Sequence, residues 1–199
     1  MSSKYIQSTC ITGEYTKLID DFLSNKKEYS INELVIFFQR NSTIDLTTDQ
    51  DIISGYNHDW SNLEGRAEAL FRPKNSIECA LIMKICYYLD IKMTLSAGRT
   101  NLTGSATPEG GIIISINNLK EIERLDMSSK TITVSPGTYI EELRQVVNNE
   151  SKNQLEFSVD PTSRREAMIG GAISCNASGF IPGDKGAMRY WVNGLDIVL

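Results

Sequence analysis

The sequence predicts an α+β fold in which helices pack on a sheet. Apolar stripes at helical spacing dominate residues 1 to about 66. From Arg66 onward helical and strand patterns alternate, around the β-branched run Ile112–Ile116. Two clusters rich in glycine and small residues, at 96–106 and 160–179, interrupt that alternation. The 199 residues suit one domain, or one domain with a small appendage, but not two full-sized domains. A composition 41% hydrophobic and 23% charged is that of a globular chain rather than a disordered one.

The elements follow in order. Leu18, Ile19, Phe22 and Leu23 make one face of a helix. Ser30-Ile31-Asn32-Glu33 fits a capping box ahead of the apolar run 34–38. Thr48, followed by Asp49 and Asp51, predicts a cap with acids in the first turn of a helix carrying Ile52 and Ile53. Asn75-Ser76-Ile77-Glu78 opens a further helix that runs through Cys86. Met93–Leu95 is a short strand, and Ile112–Ile116 is a strand buried on both faces. Glu123–Asp126 and Thr131–Val134 flank a turn at 127–130 and predict a hairpin. Tyr139–Val147 is an amphipathic helix, Ile169–Cys175 a helix opened by two glycines, and Gly194–Leu199 a strand. There is no internal repeat and no low-complexity segment.

Charge and residue usage exclude several function classes. Twenty Lys and Arg against 25 Asp and Glu, without a dense basic run, argue against a nucleic-acid partner and a polybasic membrane anchor. No apolar stretch reaches the length of a membrane span, and Met1–Ile6 has no signal-peptide core. The expectation is a cytoplasmic chain with free thiols. Cys10, Cys79, Cys86 and Cys175 form no C-x-x-C pair and read as small buried hydrophobes. His58 is the only histidine, which leaves no multi-histidine metal site and makes a nucleophilic triad depend on this one residue. His58 itself reads as structural. Redox or transfer chemistry in this chain therefore needs a cofactor.

The segment from Ser96 to Ala106 carries the most information. Gly98, Gly104 and Asn101 tolerate positive φ, and successive N–H groups in such a turn form an anion nest. Thr100, Thr103 and Ser105 add hydroxyl donors. An ordinary loop uses the same residues. In the second cluster, Gly170-Gly171 ahead of a helical run predicts free N–H groups at a helix start. The small residues Ala172, Ser174, Ala177 and Ser178 leave room for a large flat ligand, or serve close packing. The Walker, Rossmann and nucleophile-elbow glycine patterns are all absent.

Taken in order, these segments resemble a known family. Arg72-Pro73-Lys74-Asn75-Ser76-Ile77-Glu78, the loop 96–106, Gly110–Ile114, Asn118-Leu119 and Val134-Ser135-Pro136-Gly137 each match a landmark of it. So do Asp160-Pro161, Ile169-Gly170-Gly171, Asn176-Ala177-Ser178-Gly179, Gly186 with Arg189-Tyr190, and Gly194–Leu199. From about Leu63 the chain resembles the FAD-binding (PCMH-type) domain of the vanillyl-alcohol oxidase/p-cresol methylhydroxylase flavoproteins, in the D-lactate dehydrogenase and glycolate oxidase branch.

The resemblance implies two small α/β subdomains gripping FAD at 66–199, preceded by a helical segment at 1–65. It implies that Ala97, Gly98, Arg99, Thr100, Asn101, Leu102, Thr103, Gly104 and Ser105 hold the pyrophosphate through backbone N–H groups. Pro161, Thr162, Ser163, Ile169, Gly170, Gly171, Ser174, Asn176, Ser178 and Gly179 are implied along the ribityl and flavin, and Ile197 near the adenine. Ala97, Arg99, Asn101 and Ser105 stand where the family favours glycine. Asn101 holds a left-handed conformation at modest cost, whereas Arg99 resists it and offers a bidentate group to phosphate. Some members of the family attach flavin to a histidine in this loop; none is present here, so FAD is expected to bind non-covalently. The implied reaction oxidises a 2-hydroxy acid, such as lactate or glycolate, by hydride transfer to flavin. In the family the substrate groups lie in a later domain. The chain is therefore expected to be C-terminally incomplete and inactive alone: a truncated remnant, or a split-enzyme half needing a second polypeptide.

Overall fold

The computed structural model describes residues 13–24, 30–180 and 186–198. Cys10, Leu199 and the segment Met1–Ile6 lie outside them. The chain folds around a four-stranded sheet made of β1 (Asp45–Thr47), β2 (Ala69–Arg72), β3 (Met93–Ser96) and β4 (Ile112–Ser115), in the order β1-β2-β4-β3. β1 pairs antiparallel with β2, while β2, β4 and β3 run parallel. Helix α4 (Ser76–Tyr88) makes the crossover from β2 to β3.

β4 is central and buried at all four positions. The two-residue period of a strand sends Ile112 and Ile114 into one core and Ile113 into another. On the first face lie α1 (Glu14–Ser24), α2 (Ile31–Asn41) and α4, with Phe38 edge-on to Phe71 at a centroid distance of 5.3 Å. On the second face, α3 (Gln50–Ser54) brings Ile53 and the following Tyr56 against Ala67, Leu70 and Ile113. A third core joins α5 (Ile140–Glu150), α6 (Ile169–Ser174), the hairpin and Met188, which lies in a 3-10 turn at Met188–Tyr190. The chain thus has the two-part mixed architecture expected from the sequence.

Most local signals hold. The Ser30 capping box forms, with Ser30 Oγ accepting from the Glu33 N–H at 3.3 Å and the Glu33 carboxylate accepting from the Ser30 N–H at 3.1 Å. Asn75 caps α4 through the Glu78 N–H at 2.9 Å. The hairpin closes through bridges Ile122↔Val134 and Asp126↔Thr131.

Four expectations are corrected. The cap of α3 is Asp49, not Thr48, because the Asp49 carboxylate accepts the Asp51 N–H at 2.9 Å. Cys79 and Cys86 are buried and burial pushes their thiols up, to about 11 and about 12, but Cys175 is exposed just past the end of α6. Gly194–Val198 forms no strand, since no neighbouring backbone among the described residues pairs with it. Positive φ falls at Arg99 and not at Asn101. The sequence also carries no clear signal for β1 and β2, which at three and four residues are too short for a period to stand out.

Candidate functional site

Two parallel neighbours, β3 and β4, cannot be joined by a tight turn. The connecting segment 97–111 has to travel from the C-terminal end of β3 back to the start of β4. Its second half returns along the segment leading into β2, with the Arg66 N–H donating to Pro108 O at 2.9 Å and the Gly110 N–H to Arg66 O at 2.8 Å. Its first half, 97–106, is left at the C-terminal edge of the sheet, the edge where parallel α/β sheets bind ligands.

The shape of that loop is fixed from below. The buried carboxylate of Asp59 accepts the Ser61 N–H at 2.9 Å and the Ala106 N–H at 3.3 Å. Burial pushes the Asp59 carboxyl up, but bonds from Ser61, Ala106 and Asn101 outweigh it and hold it below the ordinary aspartate value. The Trp60 N–H donates to Asn101 O at 3.1 Å. Asn101 Oδ1 accepts the Thr103 N–H at 3.2 Å and the Thr103 hydroxyl at 3.0 Å, and Thr103 Oγ1 reaches Ser105 Oγ at 3.2 Å. Gly104 turns the chain with φ +74°, and Arg99 with φ 53°. The Arg99 guanidinium stacks over Tyr56 at 4.5 Å and donates to Ser96 Oγ at 3.2 Å. These bonds leave the backbone N–H groups of Gly98, Arg99, Thr100, Asn101 and Leu102 with no acceptor among the described residues.

The second cluster packs onto the first. A Cβ on Gly98 would overlap the Glu166 carbonyl oxygen, and one on Gly171 would lie 3.2 Å from Ala97 Cβ. Segment 136–140 ties the cluster down: the Gly170 N–H donates to Pro136 O at 2.8 Å, the Ile169 N–H to Thr138 O at 2.9 Å and the Ile140 N–H to Ala167 O at 3.0 Å. Arg164 clamps the turn 160–166 onto α5, bonding Glu141 at 2.7 Å and Asp160 at 2.9 Å, with Arg144 3.6 Å from Asp160.

The expected free N–H groups at the start of α6 are therefore partly absent. The helix begins at Ile169, so Gly170 and Gly171 lie inside its first turn, and Pro136 O and Thr138 O have already taken two donors. Ala172 is buried in the third core and Ala177 packs against it, so these two small residues serve packing. Ser174, Ser178 and Gly179 are exposed, and Asn176 takes φ 48° while its side chain accepts the Arg189 N–H at 3.1 Å. Pro161 is buried, Thr162 exposed and Ser163 half-buried. Ile197 is 65% exposed, and no backbone bond ties 192–198 to either cluster. His58 is exposed and bridges Glu64 through its backbone. Among the described residues no group of His, Cys, Asp and Glu is placed to hold a metal, and no helix is long and apolar enough to cross a membrane.

Residues absent from the expected set complete this site. Tyr56 lies under Arg99, and Ser96 and Ser115 close the ends of β3 and β4, fully buried. The Asn117 amide donates to the Tyr56 hydroxyl at 3.4 Å, while its own buried Oδ1 has no partner. No sequence signal marks Tyr56, which lies 40 or so residues from the loop it supports.

Comparison with known proteins agrees with this arrangement. Residues 67–199 match the family model described as FAD binding domain. The chain is 32% identical over 133 residues to the glycolate oxidase subunit GlcD of Bacillus subtilis, covering 66% of this chain and 28% of that protein. It is 26% identical over 187 residues to the D-lactate dehydrogenase of Anaerostipes hadrus, covering 94% of this chain and 36% of that protein. The chain thus spans about a third of the length of these relatives. Among solved structures, alkyldihydroxyacetonephosphate synthase superposes with a TM-score of 0.65 at 16% identity, covering 79% of this chain and 35% of that one. Xylooligosaccharide oxidase from Myceliophthora thermophila superposes with a TM-score of 0.59 at 16% identity, covering 76% and 31%. Its match to the family model over two-thirds of its length, with the sheet-edge loop inside the matched span, makes this chain a member of the FAD binding domain family with the PCMH-type fold.

Proposed function

We propose that this chain binds FAD non-covalently and forms the flavin-holding part of an oxidoreductase acting on a 2-hydroxy acid. The observation that carries this reading is the run of unpaired N–H groups at 98–102, beside a packed second cluster. Such a run suits a pyrophosphate, because each N–H adds a partial positive charge and none has an acceptor to give up. In this reading residues 97–105 hold the pyrophosphate. Pro161, Thr162, Ser163, Ile169, Gly170, Gly171, Ser174, Asn176, Ser178 and Gly179 line the ribityl and flavin, Ile197 lies at the adenine end, and 66–199 is the binding unit behind a lead-in at 1–65. The isoalloxazine supplies the hydride-accepting chemistry when bound, and the protein positions it and keeps water away. Attachment through this loop is disfavoured because 96–106 contains no histidine.

The names of the similar proteins, glycolate oxidase and D-lactate dehydrogenase, favour small 2-hydroxy acids as substrates. In this reading the substrate-binding groups come from sequence of the kind that makes up the other two-thirds of those relatives, on this or a partner polypeptide. The apolar segment with Trp191 44%, Leu195 57% and Ile197 65% exposed favours such a covering part.

The purified chain, mixed with FAD and desalted, is expected to retain flavin absorption. Acid precipitation should then release all of the flavin into the supernatant. A colourless desalted chain would overturn the FAD reading, and flavin that stays with the precipitate would overturn non-covalent binding. Lactate- or glycolate-dependent dye reduction is expected when substrate-binding sequence of that kind is present together with the chain.

A further inference from the structure

We infer that Tyr56 is a positioning residue for the sheet-edge loop: its ring holds Arg99 in a left-handed conformation and so keeps the N–H groups of 98–102 arrayed for an anion. That the anion is the pyrophosphate of FAD rests on the function proposed above.

Arg99 has φ 53°. A residue with a Cβ is disfavoured there by a factor of roughly five to thirty relative to the right-handed region. Glycine takes this conformation freely, so an arginine needs outside support. Two contacts supply it. The guanidinium carbon lies 4.5 Å from the centre of the Tyr56 ring, a cation–π stack. One guanidinium nitrogen donates to Ser96 Oγ at 3.2 Å.

Both partners are packed into the sheet. Ser96 is fully buried at the end of β3. Tyr56 packs against the core of Ile53, Ala67, Leu70 and Ile113. Its N–H donates to Ile53 O at 2.8 Å, and its hydroxyl accepts from the Asn117 amide at 3.4 Å. The sheet core therefore fixes the ring, the ring fixes Arg99, and Arg99 sets the turn.

The test is a double-mutant comparison in the 199-residue chain: parent, Y56L, R99G and Y56L/R99G. Two quantities are read: amide hydrogen exchange across 97–106 in the ligand-free chain, and FAD affinity from quenching of flavin fluorescence. Y56L is expected to speed exchange in the loop and to weaken FAD binding by roughly five- to thirtyfold, the factor for a left-handed non-glycine residue. Whatever R99G does alone, Y56L added to it should change either quantity by less than about twofold, the margin of independent sites. Y56F keeps the ring and should lose less than Y56L. Equal effects of Y56L in both backgrounds, or none in the parent, would overturn the inference, since a merely structural tyrosine does not depend on residue 99. If the parent takes up no FAD, the flavin reading fails and the exchange data alone decide the role of Tyr56.

Discussion

At the scale of single residues, the site depends on groups that satisfy backbone rather than react. Asp59 is the clearest case. Its carboxylate joins segment 59–61 to the far end of the loop at Ala106, a separation of 47 residues. Because the folded carboxyl is held below the ordinary aspartate value, its contribution is full above the unfolded pKa and is lost as pH falls through the folded one. D59N retains one acceptor oxygen of two, and should lower stability at neutral pH by roughly 1.5–3 kcal/mol, the range for hydrogen bonds to a charged group. The gap between parent and variant should narrow below about pH 4, where the unfolded carboxyl protonates. Urea unfolding of both proteins across that range measures it, and a pH-independent gap would count against the ionised carboxylate.

At the scale of elements, capping set several boundaries and pairing set the rest. The box at Ser30 satisfies two backbone donors reciprocally, and α2 then buries Leu34, Val35, Phe37 and Phe38 against the sheet. S30A should cost about 1 kcal/mol, read as a shift in the urea midpoint with unchanged slope. E33Q, which retains an acceptor, should cost less. β1 and β2 behave differently. Asp45 faces Arg72 across the antiparallel pair, and the two side chains meet at 2.8 Å. Neither segment specifies a strand alone, and each becomes one by finding its neighbour. Residues 194–198 show the converse: the pattern is strand-like, but no partner among the described residues is present. A strand is a property of a pair, whereas a helix closes its hydrogen bonds within itself.

At the scale of the whole molecule, the two halves meet where backbone approaches backbone. The third core, of α5, α6 and the hairpin, shares no apolar cluster with the sheet. The halves join through 97–98 against 166–171 and through 136–140. Gly98 is required there because a Cβ would occupy the space of the Glu166 carbonyl, which cannot rotate aside as a side chain can. G98A should therefore separate the halves by a few tenths of an ångström or more. We expect faster hydrogen exchange at 97–106 and 164–171 together, and FAD binding weakened by roughly tenfold or more, a backbone clash of about 1.4 kcal/mol. Faster exchange at only one of the two segments would show that this glycine does not couple them.

The sequence by itself determined the helices, the caps of α2 and α4, the central β4 strand, the hairpin and the two glycine-rich segments. Those signals are local: a cap bonds three residues away, and a buried strand shows as a β-branched run. Composition also marked 96–106 as a loop able to accept an anion. Only the tertiary structure decided which donors stay open. Pro136 and Thr138 take the N–H groups of Gly170 and Ile169 at the start of α6, while those of 98–102 remain unpaired. It also decided that Arg99, a poor residue for a left-handed turn, adopts one over Tyr56. These outcomes depend on which backbone carbonyl or ring arrives from a distant segment. No local pattern encodes that arrival, because it follows from the crossover between parallel strands and the packing of three separate cores.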